Sequence, residues 1–376
     1  MPEVARNGAA RPLIKAIAFH LPQFHPIPEN DRWWGKGFTE WINVAKARPQ
    51  FKGHYQPHLP ADLGFYDLRL AESREAQAAL AEEYGIYGFC YYHYWFNGHR
   101  LLERPVDEVI STGRPSAPFC LCWANENWTR RWDGMESEIL IQQVYSDSDD
   151  EEHIRHLIPV FRDPRYIKVD GKPVFLVYRA NRLPDSLRTT EIWRREAERA
   201  GLQGLFLVRV ESLPELAGDP RPFGFDAALE FQPRWQLLAG LRTYRTKWWH
   251  RRRLGTGEAG YDRFEVCEYD RFVQAAMAMP QPSYPLIRGV CAGFDNTARR
   301  EKGGIILKDS TPQSYGRWLS SVVRASRSQK LANTAEAQFV FINAWNEWAE
   351  GNHLEPCQKW GRAYLEATRD ALNATE

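Results

Sequence analysis

The chain has 376 residues and a formal net charge of +1 at pH 7, with 26% charged, 43% hydrophobic and 13% aromatic residues. Such balance leaves no electrostatic footprint for nucleic acid, and the length suits one barrel domain, 1–376, with insertions in its loops. No apolar run approaches the roughly 20 residues that span a bilayer, and Met1–Pro12 lacks the apolar centre of a secretory signal, so a cytoplasmic protein is expected.

In chain order, short apolar runs alternate with amphipathic segments. A strand-like run Lys15–Phe24 comes first, and a 26–60 loop holding Trp33, Trp34 and Trp41 is expected to fold over whatever mouth the strand reaches. A helix over Leu70–Tyr84 leads to the run Gly85–Phe96, and a helix over Val106–Thr112 to the run Pro118–Asn125. Asp147-Ser148-Asp149 reads as the polar cap of a helix over Asp150–Phe161, in preference to a metal-binding Asp-x-Asp, because short acidic side chains satisfy the orphan amides of a helix start. The run Pro173–Arg179, a helix over Leu187–Ala200 and the runs Gly204–Ser212 and Asp226–Pro233 follow. A 234–285 insertion then separates the sixth and seventh runs. Within it, Lys247-Trp248-Trp249-His250-Arg251-Arg252-Arg253 combines cations with interfacial rings, the composition of a peripheral contact with an anionic membrane, although a solvated loop has the same composition. A helix over Tyr269–Met279, the run Leu286–Phe294, a helix over Pro312–Ser328, the run Phe339–Trp348 and a helix over Lys359–Leu372 complete the chain. Strands alternating with helices predict a parallel sheet, and eight of them predict a closed α/β (β/α)8 barrel. The six cysteines fall mostly inside apolar runs and read as reduced, buried residues; none has zinc spacing, so no metal is expected.

Reacting groups in such a barrel project from the C-terminal ends of strands. The residues closing each run are therefore the candidates for substrate binding: His20 and Gln23; His93, Tyr94 and Trp95; Trp123, Asn125, Glu126 and Trp128; Tyr178; Gln232; Asp295; and Asn346, joined by Trp41 from the first loop. Rings that stack on sugar C–H faces beside amides and carboxylates that bind hydroxyls suit an oligosaccharide or polysaccharide. Each also has a structural reading: a His among rings serves equally as a hydrogen-bonded core residue, and Glu126 could pair with Arg130 or Arg131. Glu347 and Glu350 are the catalytic candidates. A Glu-x-x-Glu pair usually marks a solvated helix face, but here it leaves an apolar run, is interleaved with Trp345 and Trp348, and precedes Gly351. Two carboxylates flanking one linkage are what acid/base glycosyl transfer requires, and different surroundings can keep one protonated and the other ionised.

The segment Phe341-Ile342-Asn343-Ala344-Trp345-Asn346-Glu347-Trp348-Ala349-Glu350-Gly351, followed by Leu354-Glu355-Pro356, resembles the signature of glycoside hydrolase family 99, and more closely its WbsX-like branch of polysaccharide and O-antigen biosynthesis proteins. The stretches Phe19–Pro26, Trp33–Trp41, Gly88–Phe96, Trp123–Trp128 and Gly293–Thr297 are similar to that branch too, so the resemblance runs from about His20 to Tyr364. It implies a (β/α)8 barrel that acts with retention on α-linked, mannose-like sugars and uses no metal or cofactor. It also implies roles: Glu347 would deprotonate the sugar's own 2-hydroxyl, which attacks the anomeric carbon to give a 1,2-anhydro sugar, while Glu350 would act as acid and then as base. One departure bears on the substrate, since Ala349 stands where the hydrolases usually carry His. Three expectations follow: a retaining hydrolase of a bacterial polysaccharide or lipid-linked oligosaccharide, a glycosyltransferase or transglycosylase of surface-polysaccharide assembly, and a non-catalytic carbohydrate-binding barrel.

Overall fold

The computed structural model describes residues 14–130, 135–241, 263–300, 302–327 and 338–374. Its centre is a ring of parallel strands: β1 (Lys15–His20), β2 (Ile86–Phe96), β3 (Phe119–Trp123), β4 (Lys172–Val177), β5 (Phe206–Glu211), β6 (Ala227–Glu230), β7 (Leu286–Cys291) and β8 (Phe339–Asn343). Each pairs with its neighbours in sequence, and the ring closes because β1 pairs with both β2 and β8, Ala16 lying opposite Ile86 on one side and Val340 on the other. The strands are almost wholly buried, as their near-continuous apolar sequences require: one face fills the barrel and the other meets helices. Backbones approach closely in places. A Cβ on Gly289 of β7 would lie 2.2 Å from the Glu230 carbonyl oxygen, so only glycine fits there.

The helices Ala71–Glu83, Arg104–Thr112, Asp147–Phe161, Ser186–Arg199, Tyr269–Met277, Pro312–Arg327 and Ala363–Asn373 correspond to those expected from sequence. Pro312–Arg327 shows why: Tyr315, Trp318, Leu319, Val322 and Val323 recur at three- and four-residue steps and form its buried face, with Trp318 edge-on to Phe272. Burying each such side chain contributes about 1.5–3 kcal/mol. At Asp147–Phe161 the cap is Ser146, which accepts from the Asp149 amide, and the acidic triplet forms the first turn rather than the cap. There Asp149 accepts from Trp95 Nε1 at 2.8 Å and Asp147 pairs with Arg188 at 2.9 Å, so both carboxylates are engaged in holding the fold.

All eight expected runs are barrel strands, but several overrun. Pairing of β1 stops at His20 rather than Phe24, and that of β8 at Asn343 rather than Trp348. Past those points the chain leaves the ladder and turns across the mouth. The 26–60 segment carries helices Pro28–Trp34 and Glu40–Lys46, and the second packs on the turn after β8, Trp41 lying 5.6 Å from Trp348 between ring centroids. In 234–285 the described part forms a helix, Trp235–Leu241, and a strand, Glu265–Glu268, that joins Ile305–Lys308 and Phe294–Asp295 in a small sheet beside the mouth. The basic stretch 247–253 lies outside the described residues. No helix among the described residues is long and apolar enough to cross a membrane. The cysteines are all buried and free.

Candidate active site

A layer of rings, Phe19, Tyr92, Tyr178, Phe231 and Phe341, plugs the barrel near its C-terminal end, with neighbouring centroids 5.2–6.3 Å apart. Above it opens a cleft of about 460 Å³ whose lining includes Tyr92, Tyr178 and Phe231 together with Glu347 and Glu350. The two glutamates are delivered by a compact device. Asn346–Glu347 pairs antiparallel with Asn352–His353, and a single helical turn, Trp348–Glu350, joins the two segments. The turn is closed by the Gly351 amide donating to the Trp348 carbonyl at 3.0 Å. Gly351 has φ +55°, and a Cβ there would lie 3.0 Å from that of Asp295, so this position needs glycine. Trp348 is locked beneath the turn: it stacks on His353 with 3.8 Å between centroids, and its Nε1 donates to Glu355 at 2.6 Å. Glu355 also accepts from Tyr66 and Gln77.

The electrostatics of the pair centre on Arg299, a residue that no sequence motif marks. Its side chain is only 11% exposed. Nη1 donates to Glu350 Oε1 at 2.6 Å, Nη2 lies 3.3 Å from Glu347 Oε2, and Nη2 and Nε both donate to Glu40 Oε1. One cation therefore faces three carboxylates, and keeping all three ionised in so dry a site is costly. Burial pushes Glu347 up to about 8, helped by the charges of Glu350 and Glu40 and opposed by Arg299. Burial also raises Glu40, against the pull of Arg299. Arg299 is held more firmly protonated than an ordinary arginine: burial alone would lower it, but the three carboxylates outweigh that. Tyr92 and Tyr94 of β2 lie close enough for the charge on Glu347 to add to the effect of burial in raising their phenols, so both remain proton donors.

Gln23, Tyr94, Glu126, Trp128 and Tyr178 line this same cleft. Glu126 forms a 2.8 Å ion pair with Arg179, whose guanidinium lies 4.6 Å from the Tyr178 ring centre. Nine other candidates lie away from the cleft, each for a definite reason. On β2 the side chains alternate: Tyr92 and Tyr94 turn to the cleft, while His93 meets His153 at 2.9 Å and Trp95 stacks on His153 in the helical layer. His20 and Trp123 face that layer too, His20 against Gln77 at 3.2 Å and Trp123 against Trp193. Burial holds the His20 imidazole down at about 4. Asn125 and Asn346 act as clamps. Asn125 accepts from the Arg179 amide and donates to the Arg179 carbonyl, and Asn346 does the same to Leu21, tying adjacent strand ends together. Gln232 accepts from the Arg234 amide, and its own carbonyl accepts from Asn343 Nδ2. Trp41 packs among Phe24, Tyr66 and Trp348, its Nε1 donating to the Tyr66 carbonyl. Asp295 lies in a separate cavity of about 80 Å³, bound by His54 at 2.6 Å and Gln56 at 2.9 Å. Ala349 is also out of the cleft, buried in the cluster with Leu21, Phe24 and Trp41. Besides Arg299, the candidates drawn from the sequence omit Tyr92, Arg179, Trp235, Arg300 and Asn343, which line the cleft. Among the described residues no group of three or more His, Cys, Asp or Glu could hold a metal ion.

A family model described as Glycosyltransferase WbsX matches residues 16–368. Proteins described as uncharacterized protein WxcX, from two strains of Xanthomonas campestris pv. campestris, are 45% identical over 357 residues. That match takes in 95% of this chain and 49% of theirs, so the chain spans about half the length of the curated relatives it matches. Among solved structures, the GH99 endo-alpha-mannosidase from Bacteroides thetaiotaomicron superposes with a TM-score of 0.55 at 14% identity, covering 95% of this chain and 96% of that one. A glycoside hydrolase-like protein superposes with a TM-score of 0.59, also at 14% identity, over 96% and 94%. At that identity the likeness establishes the (β/α)8 barrel.

Proposed function

Because the chain belongs to the WbsX glycosyltransferase family, and is thus an enzyme that handles glycosyl groups, we propose that Glu347 and Glu350 are the acid/base pair of a retaining reaction on an α-linked, mannose-like sugar of a bacterial polysaccharide or lipid-linked oligosaccharide. The observation that carries this reading is that both carboxylates meet on one buried arginine at the C-terminal mouth of a closed barrel, in a cleft with ring-lined walls. In it, Glu347 takes the proton of the sugar's 2-hydroxyl as that oxygen bonds to the anomeric carbon, and Glu350 gives a proton to the departing oxygen. Water or a sugar hydroxyl, deprotonated by Glu350, then attacks the anomeric carbon and breaks its bond to the 2-oxygen, which takes its proton back from Glu347. The raised value of Glu347 supports its part: a carboxylate whose conjugate acid keeps its proton to about pH 8 is a stronger base than an ordinary one, as abstraction from a hydroxyl demands. Tyr92 and Tyr94, as donors beside Glu347, suit the placing of sugar hydroxyls.

The test is turnover of a panel of α-mannosyl and O-antigen oligosaccharides in ¹⁸O-labelled water, read by mass spectrometry beside Glu347→Gln and Glu350→Gln. Products made by the wild type and lost in both variants are expected; products made equally by all three would sink the reading. A second reading, transfer to a sugar acceptor in place of water, is favoured by the description of the family model. Elongated products without label distinguish it from hydrolysis.

A further inference from the structure

We propose that Glu40, carried on the helix of the segment that crosses the barrel mouth, is a positioning residue for the Glu347–Glu350 pair and acts on it through Arg299. The inference rests on the glycosyl-transfer reading above for its consequence in catalysis, but its electrostatic core stands without a substrate.

Geometry carries the argument. A guanidinium is a rigid planar fork, so fixing two of its nitrogens fixes where the third points. Glu40 takes both Nε and Nη2 through one carboxylate oxygen, which leaves Nη1 aimed at Glu350 and the far side of Nη2 at Glu347. Glu40 is itself immobilised. Its side chain is fully buried, its amide donates to the Gln23 carbonyl at 3.1 Å, and the next residue, Trp41, is wedged against Trp348 inside the catalytic turn. The Ala349 amide, between the two catalytic candidates, also lies close enough to Glu40 to favour its charge. The segment 26–60 is thus tied to the acid/base pair by charge as well as by packing.

A third carboxylate also sets the charge balance. Among the described residues, the charged and titratable groups facing Glu347 are Glu40 from the helix, Glu350 from its own turn, Arg299 from the adjoining turn after β7, and the phenols of Tyr92 and Tyr94 from β2. Glu40 raises the proton affinity of Glu347 in two ways: by its own charge, and by occupying an arginine that would otherwise serve Glu347 more fully. Removing that charge lowers the Glu347 midpoint, and removing the arginine raises it. A residue that merely held the loop in place would move neither.

The experiment is a carboxyl titration of ¹³C-glutamate-labelled full-length protein by NMR, without substrate, the Glu347 signal being identified by its absence in Glu347→Gln. Glu40→Gln is expected to bring the Glu347 midpoint down by about one unit and Arg299→Gln to raise it by at least as much, with folding checked by thermal melts. If Glu40→Gln does not fold, Glu40→Asp, which draws the carboxylate back from the fork, should shift the midpoint in the same direction by less. Midpoints that stay within 0.2 of wild type in a folded Glu40 variant overturn the proposal. Where a glycan is turned over, the Glu347-dependent limb of kcat/KM against pH must move with the titration; a limb that stays put while the titration moves equally overturns the positioning role. A wild type that processes no glycan defeats the glycosyl reading and leaves the titration to decide this one.

Discussion

Glu347→Gln should stabilise the protein, and by an amount that depends on pH. In the fold burial raises the Glu347 carboxyl from 4.5 to about 8, so between those values the folded chain binds a proton that the unfolded chain has released. Stability must then fall as pH rises through that window, because ∂ΔG/∂pH follows the protons bound by the unfolded state minus those bound by the folded state. Below pH 4.5 both states are protonated and the group contributes nothing; above 8 the full penalty of a buried, crowded charge is present. One unit corresponds to about 1.4 kcal/mol, and because Glu347 titrates together with Glu350 its own share of the penalty is roughly 2–3 kcal/mol. A neutral amide of the same shape removes it. For a domain of this size that is a rise in Tm of about 2.5–4 °C at pH 8, shrinking to about 1 °C or less at pH 5. Melts by circular dichroism at pH 5, 6.5 and 8 measure it. A difference that does not vary with pH, or a variant less stable than wild type at pH 8, would refute the reasoning.

Three further outcomes follow from the same geometry. With Glu347 as base and Glu350 as acid, kcat/KM should be bell-shaped in pH, its two limbs belonging to the coupled pair; a profile that stays level at high pH would contradict the need for a protonated Glu350. Trp95→Phe removes the donor to buried Asp149 and should lower stability by about 1–3 kcal/mol in denaturant melts while leaving KM unchanged, since Trp95 lies in the helical layer; a raised KM would contradict that placement. Gly351→Ala forces a side chain into a left-handed turn against Asp295, and a loss of about 1–2 kcal/mol together with a larger drop in kcat than in KM is expected; unaltered kcat would show that the turn does not aim Glu350.

The barrel was legible because burial on both faces writes each strand as an apolar run, and Lys15–His20 or Phe339–Asn343 needs no tertiary information to be seen. The site was legible in part. Strand ends were read without regard to which face each residue takes, and the two-residue period of β2, which sends Tyr92 and Tyr94 to the cleft and His93 and Trp95 to the helices, could have separated them in advance. Asn125 and Asn346 show a second confusion, since an amide at a strand end can equally clamp the backbone of the next strand. Arg299 was not readable at all. It caps a single 3-10 turn, Asn296–Ala298, after Asp295, and its importance comes only from a fold that gathers Glu40, Glu347 and Glu350 around it. The small sheet of Glu265–Glu268 was hidden for a related reason: four residues beside a helix start give too little period to distinguish from loop.

The division of labour between the two glutamates is tested most directly with two donors of the sugar identified by the oligosaccharide panel: the natural glycan, whose leaving oxygen needs a proton, and the α-glycosyl fluoride, whose leaving group does not. Glu350→Gln should lose about 10²–10⁴-fold on the glycan yet still release fluoride in a burst close to the wild-type rate, while Glu347→Gln should lose both. Equal losses on the two donors in Glu350→Gln, or fluoride release preserved in Glu347→Gln, would contradict the assignment of acid and base.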